Sequence, residues 1–485
     1  MISFKNVTYS YPQSSERDLN DINLLINKGE VVAFTGLSGC GKTTLTRVIN
    51  GLAYKYYGGK IEGELNISDM NPFQKELYEI GKVVGSIFQN PKSQFFSERV
   101  EDEIAFGLEN HGVEREQIDY IISKSLESIN GEQLRNKNLF QLSSGERQKI
   151  AIASINALDP SIYVFDEPSA NLDMESVEAL KRLLLSLKKA GKTIIISEHR
   201  LYYLKDIVDK YYYMSNGKLV CCYDQDVLET SSATFFRNLG LRQFLLDKVE
   251  SNNKRLMSKN CLEIKKMTFS YGKKVMINQL NYDFFSGSVY GIIGENGVGK
   301  STFSKVISGL LKERKGSIYY NSKLLKRNKR RQRVYYLSNN PASNLFEVSA
   351  REELMMSDSN VDSKRLLREY NLSDVENVHP QILSGGEKQR LTIAVSELLE
   401  RDVYIFDEPT SGLDGKNMKL VSNKIKNLQR KQKIVIVISH DYEFLMEACT
   451  TILHMNESGF TEFEPKTEQI KILEILQGRS LDDDK

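Results

Sequence analysis

Two glycine-rich segments constrain the fold of this chain more than any other feature of its 485 residues. Each segment fits the pattern G-x-x-x-x-G-K-[ST], follows a short apolar run and precedes a helix-like run. The first is Gly36-Leu37-Ser38-Gly39-Cys40-Gly41-Lys42-Thr43, continued by Thr44, and the second is Gly294-Glu295-Asn296-Gly297-Val298-Gly299-Lys300-Ser301, continued by Thr302. A strand, a loop of this pattern and a helix form a phosphate-binding loop. The sequence therefore predicts two nucleotide sites in one chain.

The residue types of these loops indicate their chemistry. Glycines let the backbone turn its N–H groups toward phosphate oxygens, and the start of the next helix adds free N–H groups and a positive dipole end. We expect Lys42 and Lys300 to reach the β- and γ-phosphates of ATP. The hydroxyls of Thr43 and Ser301 are expected to bind Mg²⁺.

An acidic pair recurs at the end of an apolar strand in each copy. Asp166-Glu167 is repeated as Asp407-Glu408 at an offset of 241 residues. The aspartate of each pair can hold Mg²⁺ through water, and the glutamate can orient or deprotonate an attacking water. Because a phosphate loop lies upstream of each pair, this interpretation is favoured over plain surface charge.

A histidine and a tyrosine also recur in both copies. His199 and His440 lie at the same distance from the acidic pairs, which favours a γ-phosphate contact over a structural role. Tyr11 and Tyr271 precede the phosphate loops by a strand and a turn. Adenine stacking is favoured for these tyrosines, although aromatic residues at such places also serve as core.

Composition limits the remaining classes of function. The chain has 66 Lys and Arg residues against 64 Asp and Glu residues, and this balance predicts no special attraction to nucleic acid. We interpret the basic cluster between Lys323 and Arg333 as a solvated face rather than a nucleic-acid patch. The five cysteines lack metal-ligand spacing, and no apolar run approaches the roughly 18 residues of a membrane span. We therefore expect a protein that is soluble by itself in a reducing cytosol and has no nucleic-acid partner.

The repeat predicts the domain organisation. In each copy, β-rich runs alternate with helical runs, which indicates an α/β fold of parallel strands and crossover helices. We expect domains at 1–225 and 261–455, a linker at 226–260 and a C-terminal tail at 456–485 that is disordered from Gln477 onward. The helical apolar spacing from Arg115 to Ile129 predicts a helical subdomain.

A further repeated segment completes a resemblance to a known family. The segment is Leu142-Ser143-Ser144-Gly145-Glu146 in the first copy and Leu383-Ser384-Gly385-Gly386-Glu387 in the second. Taken with the loops, acidic strands and histidines, it makes residues 1–225 and 261–455 resemble a fused pair of ABC-type ATPase domains. The resemblance implies two P-loop ATPase domains, each with a RecA-like core, an antiparallel β subdomain and a helical subdomain.

The resemblance also implies two composite ATP sites, each completed by the signature segment of the opposite half. Site one combines Lys42, Thr43, Gln89, Asp166, Glu167 and His199 with Ser384, Gly385, Gly386 and Glu387. Site two combines Lys300, Ser301, Asn339, Asp407, Glu408 and His440 with Ser143, Ser144, Gly145 and Glu146. In site two, Asn339 replaces the glutamine expected to reach Mg²⁺ and Ser144 replaces a signature glycine. Both departures lead us to expect that site two binds ATP but hydrolyses it more slowly.

The loop after Gln89 narrows the resemblance. The run from Phe88 to Phe96, with the segment Val100–Asn110, closely resembles the ATPases of energy-coupling factor (ECF) transporters, which import vitamins and transition-metal ions in prokaryotes. The run from Asn340 to Phe346 is a weaker version of it. The resemblance implies an ATPase peripheral to the cytoplasmic face of the cell membrane, bound to a membrane-embedded T component and a substrate-binding S component. The cargo would be a vitamin, a related micronutrient or a metal ion.

Other classes remain as alternatives. A translation factor of the ABC-F type would carry a long charged helical arm between its halves, and the expected linker is short. The ATPase of another ABC importer is a second alternative; a fused sugar-import ATPase has a similar length but usually has one degraded phosphate loop, whereas both loops are intact here. A DNA-repair or chromosome-organising ATPase would carry a zinc site or a long coiled coil. An ATPase makes no contact with the transported molecule, so these residues do not encode the cargo.

Overall fold

The computed structural model describes residues 1–12, 17–272 and 274–479, without the side chains of Tyr271 and Lys274. The chain divides into two compact units, Met1–Leu245 and Leu246–Lys485. Each unit combines a mostly parallel sheet with an antiparallel sheet and helices. The expected α/β architecture is therefore confirmed in both halves.

The first unit begins with an antiparallel sheet and continues into the parallel one. Its strands are β1 (Ile2–Ser10), β2 (Leu19–Ile26), β3 (Val31–Gly36), β4 (Lys60–Ile67), β5 (Val84–Ile87), β6 (Ile162–Asp166), β7 (Thr193–Ser197), β8 (Lys210–Ser215) and β9 (Lys218–Tyr223). Its helices are α1 (Lys42–Ile49), α2 (Leu52–Lys55), α3 (Leu77–Gly81), α4 (Val100–Asn110), α5 (Arg115–Glu127), α6 (Ser144–Ala157), α7 (Met174–Lys189), α8 (Gln225–Thr230) and α9 (Ala233–Leu239).

The order of the large sheet, β5-β6-β7-β3-β8-β9, brings the expected site residues together. Strands β5, β6, β7, β3 and β8 are parallel, and only β9 runs antiparallel at the edge. The apolar strands β3 and β7 are buried along their whole length, as expected for a sheet covered on both faces. Because the carboxyl ends of parallel strands share one edge, the phosphate loop after β3 and the segments after β5, β6 and β7 meet there.

Two smaller layers complete the first unit. Strands β2, β1 and β4 form the antiparallel sheet, and its core packs around α1 through residues such as Phe4 and Leu45. Helices α4, α5 and α6 pack together through buried residues that include Ile104, Leu126 and Ile150. These layers are the β subdomain and the helical subdomain that the sequence predicts.

The second unit repeats this topology. Its strands are β10 (Cys261–Tyr271), β11 (Lys274–Phe285), β12 (Val289–Ile293), β13 (Lys315–Tyr320), β14 (Lys323–Leu324), β15 (Val334–Leu337), β16 (Val403–Asp407), β17 (Ile434–Ile438), β18 (Thr451–Asn456) and β19 (Gly459–Phe463). Its helices are α10 (Lys300–Ile307), α11 (Arg327–Arg333), α12 (Ala350–Ser357), α13 (Ser363–Glu369), α14 (Gly385–Leu398), α15 (Gly415–Arg430), α16 (Tyr442–Ala448) and α17 (Gln469–Leu476). The large sheet has the order β15-β16-β17-β12-β18-β19, and the antiparallel sheet has the order β11-β10-β13-β14.

The segment 226–260, expected as the linker between the two domains, is divided between the two units at Leu245/Leu246. Helices α8 and α9 belong to the first unit, where Phe236 and Phe244 are buried. The rest belongs to the second unit, where Asn253 donates to the carbonyls of Met446, Glu447 and Cys449 at 2.8, 2.9 and 3.1 Å. Although this segment is mostly polar, its short apolar patches are buried and attach it to the folded units.

The expected tail also contributes to the fold. Strand β19 pairs antiparallel with β18 at the edge of the large sheet, and Ile472 and Leu476 of α17 are buried. The expectation of disorder from Gln477 falls partly on residues 480–485, which lie outside the described residues.

The basic cluster is not a simple solvated face. Arg330 is buried and donates to the carbonyl of Val306 at 2.8 Å and to Glu313 at 2.6 Å. Arg327 and Arg331 both donate to the carbonyl of Gly309, at 2.9 and 3.1 Å, just beyond the end of α10. Guanidinium groups can satisfy the carbonyls left free at a helix C-terminus, and that requirement explains these arginines.

Candidate functional site

The phosphate loop of the first unit wraps around a buried lysine. Lys42 opens α1 and is 4% exposed. Its Nζ atom donates to the carbonyls of Gly36 and Leu37 at 3.1 and 3.0 Å. The loop is thereby closed into a ring, as expected of a loop whose N–H groups face a phosphate.

Two glycines show why this loop tolerates few other residues. At Gly36, φ is +152° and an added Cβ would lie 2.3 Å from the carbonyl oxygen of Met214. At Gly39, φ is +78° and an added Cβ would meet nothing within 4 Å. The first glycine is required by close packing. The second leaves open space beside a left-handed backbone, which fits a bound phosphate group.

The second unit contains the same ring. Lys300 Nζ donates to the carbonyls of Gly294 and Glu295 at 2.6 and 2.9 Å. Gly297 has φ +85° with open space around it, as Gly39 has. Both loops therefore have the shape and the cationic donor that ATP phosphates require.

The first magnesium carboxylate lies next to the expected hydroxyl. Thr43 Oγ1 donates to Asp166 Oδ1 at 3.1 Å. Burial and the neighbouring Glu167 carboxylate raise the pKa of Asp166 to about 6. A buried carboxylate beside a hydroxyl favours an oxygen-binding cation, so the two residues fit Mg²⁺.

The second magnesium carboxylate has a different environment. Burial raises the pKa of Asp407, while hydrogen bonds from Ser301 and Tyr336 oppose that rise. Tyr336 Oη donates to Asp407 Oδ2 at 3.2 Å. Sequence reasoning did not single out Tyr336, because an aromatic residue in a buried strand is indistinguishable from core.

Glu167 is held by the two residues that were expected to work with it. Gln89 Nε2 donates to Glu167 Oε2 at 2.6 Å, and His199 Nε2 lies 3.3 Å from Glu167 Oε1. The backbone of Glu167 has φ +45°, and its N–H donates to the carbonyl of Ser197 at 2.8 Å. Such a conformation is strained for a non-glycine residue and is frequent at functional sites.

The equivalent carboxylate in the second unit has looser surroundings. Glu408 repeats the positive φ, at +53°, but His440 Nε2 lies 3.9 Å from its Oε1. Ser439 Oγ donates to Glu408 Oε2 at 3.3 Å. Asn339 is exposed, and within the described ranges no hydrogen bond joins its side chain to another residue. The two halves thus place equivalent residue types in unequal arrangements.

Glu198, the residue before His199, is a further functional candidate that sequence reasoning missed. Glu198 is buried and accepts hydrogen bonds from the N–H groups of His199 and Arg200, at 2.7 and 3.1 Å, and from Tyr203 Oη at 2.8 Å. It also accepts from the N–H of Ser169 at 3.3 Å. The available signal was an acidic residue directly after a fully buried strand with the sequence Thr-Ile-Ile-Ile-Ser.

Both signature segments begin a helix through a capping box. Ser143 caps α6 and Ser384 caps α14, and the carboxylates of Glu146 and Glu387 return to the serine N–H groups at 2.8 Å. An added Cβ on Gly385 would meet nothing within 4 Å, so the serine found at this position in the first copy fits without rearrangement. The roles of these segments toward ATP stay predictions.

Tyr11 lies in an aromatic cluster next to α1. Arg47 donates to Tyr11 Oη at 3.0 Å and lies 4.6 Å from the centre of the Tyr57 ring. Tyr9 and Tyr57 meet the Tyr11 ring edge-on, at 5.0 and 5.8 Å. Adenine stacking on Tyr11 stays a prediction, and the Tyr271 side chain lies outside the described part of the chain.

Comparisons with known proteins agree with this geometry. A family model described as ABC transporter matches residues 19–170 and 277–411. A Treponema denticola protein named as an ABC transporter ATP-binding protein is 38% identical and aligns over 93% of this chain and 95% of its own length. A Methanosarcina mazei protein with the same description is 32% identical over 99% of this chain and 92% of its own length.

A solved structure of an RNase-L inhibitor has the same fold, with a TM-score of 0.66 at 20% identity over 98% of this chain and 93% of that one. No helix in the described part of the chain has the length and apolar character that a membrane span requires. The two phosphate loops, their paired carboxylates and the family match lead to one conclusion. The chain belongs to the ABC transporter family as a tandem ABC ATPase that binds ATP with Mg²⁺ and hydrolyses it.

Proposed function

We propose that this ATPase energises an ECF-type importer of a vitamin, a related micronutrient or a metal ion. Its partners would be a membrane-embedded T component and a substrate-binding S component, which hold it at the cytoplasmic face of the membrane. The loop that connects the catalytic centre to an exposed aromatic surface supports this proposal best.

That loop begins at Gln89, whose side chain contacts the Glu167 carboxylate of the first half. Gln89, which donates to Glu167, is followed by the run to Phe96. The Phe96 ring is 77% exposed and stacks on Phe106 of α4 at a centroid distance of 4.8 Å. Contiguous exposed apolar surface is typical of interaction sites, so this pair of stacked aromatic rings supports a protein partner. A partner bound there would act on the residue that holds Glu167.

A buried glutamate holds this surface in place. Glu103 of α4 accepts the N–H groups of Phe96 and Ser97, both at 2.9 Å. In the second half, Glu353 of α12 accepts the N–H groups of Phe346 and Glu347, both at 2.8 Å. Phe346 is 74% exposed. Each half therefore presents one phenylalanine on an ordered loop, which suits docking to a membrane component.

The two catalytic centres would not turn over equally. Gln89 donates to Glu167, whereas Asn339 is one methylene shorter and, within the described ranges, has no side-chain hydrogen bond to another residue. His440 also lies farther from its glutamate than His199 does. These differences support a fast site built on the first phosphate loop and a slower site built on the second. That each site is completed by the signature of the opposite half stays a prediction.

Co-purification tests the transport proposal. The tagged chain, purified from detergent-solubilised native membranes, is expected to retain two small multi-span proteins, identified by mass spectrometry. Phe96→Ser should reduce their recovery at least severalfold, because the docking surface loses its apolar centre. Tyr78→Ser, at a residue that is 66% exposed on α3, is the matched control and should leave recovery unchanged. Recovery with ribosomes, or from the soluble fraction alone, would contradict the transport proposal and favour a translation factor.

A further inference from the structure

The second half holds its magnesium carboxylate with a residue that the first half lacks. Tyr336 lies on β15, next to the strand that ends in Asp407, and its hydroxyl donates to Asp407 Oδ2 at 3.2 Å. Asp407 is only 3% exposed, and the ring of Tyr336 packs against the core beneath α10. The rotation of this carboxylate is therefore restricted before any cation binds.

The first half provides an internal comparison at the same backbone position. Ser86 pairs with Val164 on the strand that ends in Asp166, as Tyr336 pairs with Ile405. The carbonyl of Ser86 accepts from Gln94, and the carbonyl of Tyr336 accepts from Asn344, both at 3.1 Å. The backbone environment is thus shared, and the difference lies in the side chain.

The two side chains at this position have different partners. Ser86 Oγ accepts a hydrogen bond at 3.1 Å from Nδ2 of Asn50, the residue that follows α1. Tyr336, with a ring between its backbone and its hydroxyl, extends as far as the aspartate. Packing alone would be served equally well by phenylalanine, so the hydroxyl is the part of Tyr336 that needs an explanation.

We propose that Tyr336 is a positioning residue that strengthens magnesium–nucleotide binding at the second half. A carboxylate already fixed by an outer hydrogen bond loses less freedom when it accepts a metal-bound water, and outer partners of this kind commonly change metal affinity about 10- to 100-fold. The inference rests on the proposed asymmetry and extends it, because a slow site that retains its nucleotide requires tight binding as well as slow chemistry.

Metal binding to the full-length chain tests this proposal. In a Lys42→Ala background, which disables the first loop, Mn²⁺ binding is titrated by electron paramagnetic resonance with a non-hydrolysable ATP analogue present. Tyr336→Phe keeps the ring and removes the hydroxyl, and it should weaken Mn²⁺ binding about tenfold. A change of less than twofold would overturn the proposal.

The matched control is Ser86→Ala in a Lys300→Ala background, which should leave Mn²⁺ binding at the first half unchanged. Circular dichroism of each variant separates loss of folding from loss of affinity. Because no turnover is measured, failure here leaves the difference in hydrolysis rates to be judged separately. If turnover proves equal at both sites while Tyr336→Phe still weakens Mn²⁺ binding, the positioning role stands without the asymmetry of catalysis.

Discussion

At the scale of single residues, Gln89 and Asn339 differ by one methylene group, and this difference in length determines whether the side-chain amide reaches the neighbouring glutamate. Both follow the corresponding strand of the large sheet, and both were expected at a catalytic centre. Only Gln89 reaches its glutamate, at 2.6 Å. Side-chain length can be read from the sequence, which predicted that Asn339 would reach Mg²⁺ and water less well than a glutamine; the hydrogen bond from Gln89 to Glu167 was not predicted.

Exchange of these two amides gives a direct prediction. Gln89→Asn should lower steady-state ATP turnover about 10- to 100-fold, because a shift of about 1 Å at a catalytic contact costs that much. Asn339→Gln should not lower turnover, since it lengthens the side chain toward Glu408. The measurement is phosphate release at saturating ATP. An equal loss in both variants, or no loss in Gln89→Asn, would contradict the claim that only Gln89 makes a productive contact with its glutamate.

Residue environments that depend on neighbours from distant parts of the chain were beyond sequence reasoning. The hydrogen bonds from Tyr336 to Asp407 and from the Ser169 N–H group to Glu198 form only once the strands are aligned. In the sequence, a tyrosine inside an apolar run and an acid before a histidine have many possible roles. The candidate catalytic residues could be proposed from the sequence because their motifs repeat, whereas the residues that contact them differ between the halves.

The raised pKa of Asp166 predicts a pH-dependent stability. Burial and Glu167 raise it from the ordinary value of 3.8 to about 6, so the folded chain binds this proton more tightly than the unfolded chain does. The ionised carboxylate therefore costs stability above about pH 6, and the cost disappears as the pH falls toward 4. Asp166→Asn should raise the free energy of unfolding at pH 7.5, without Mg²⁺ or nucleotide, by about 2 to 3 kcal/mol.

Urea unfolding of the wild type and the variant at pH 7.5 and pH 4.5 checks this sign. The stabilisation should be large at the higher pH and small at the lower one. The variant should also lose ATP hydrolysis, as expected of a residue whose charge serves the cation rather than the fold. A difference that stays the same at both pH values would show that the carboxylate is not the cause.

At the scale of elements, the ordered loop before α4 joins the catalytic centre to the exposed aromatic surface. Glu103→Ala should leave the N–H groups of Phe96 and Ser97 without their acceptor. A lost hydrogen bond to a charged group costs about 1.5 to 3 kcal/mol, which is enough to release a loop. Amide hydrogen exchange at these two residues should accelerate, and recovery of the membrane partners should fall.

The control for this element is Glu109→Ala, which removes an exposed acid from the same helix. It should change neither exchange nor recovery. Slow exchange at Phe96 in the Glu103→Ala variant would show that other contacts order the loop.

Most helices and strands could be predicted from the sequence, but the boundaries of the two folded units could not. Short runs of β-branched and aromatic residues, such as those in Ile162–Asp166 and Thr193–Ser197, are typical of buried strands. Helices α8 and α9 and strand β19 lie in polar stretches, where a few buried side chains decide the outcome. The average composition of a segment does not reveal a few buried side chains. The elements within the expected linker and tail, which belong to the two units, could therefore not be predicted from it.

At the scale of the whole molecule, the central claim is that duplicated ATPase units have become unequal. In the first unit, Gln89 and His199 both contact Glu167. The second unit retains its phosphate loop and carboxylates but has a longer histidine distance, an asparagine without that contact and an extra tyrosine on Asp407. Such a pair suits a machine in which one half hydrolyses ATP and the other retains it.

Turnover of the two glutamate variants tests this claim most directly. ATP hydrolysis is measured for the full-length chain carrying Glu167→Gln or Glu408→Gln, with nucleotide binding of each variant measured alongside. Glu167→Gln should remove nearly all turnover, because the fast site depends on this carboxylate, while Glu408→Gln should leave most of it. If Glu408→Gln abolished turnover and Glu167→Gln left it near the wild-type rate, the account would be contradicted.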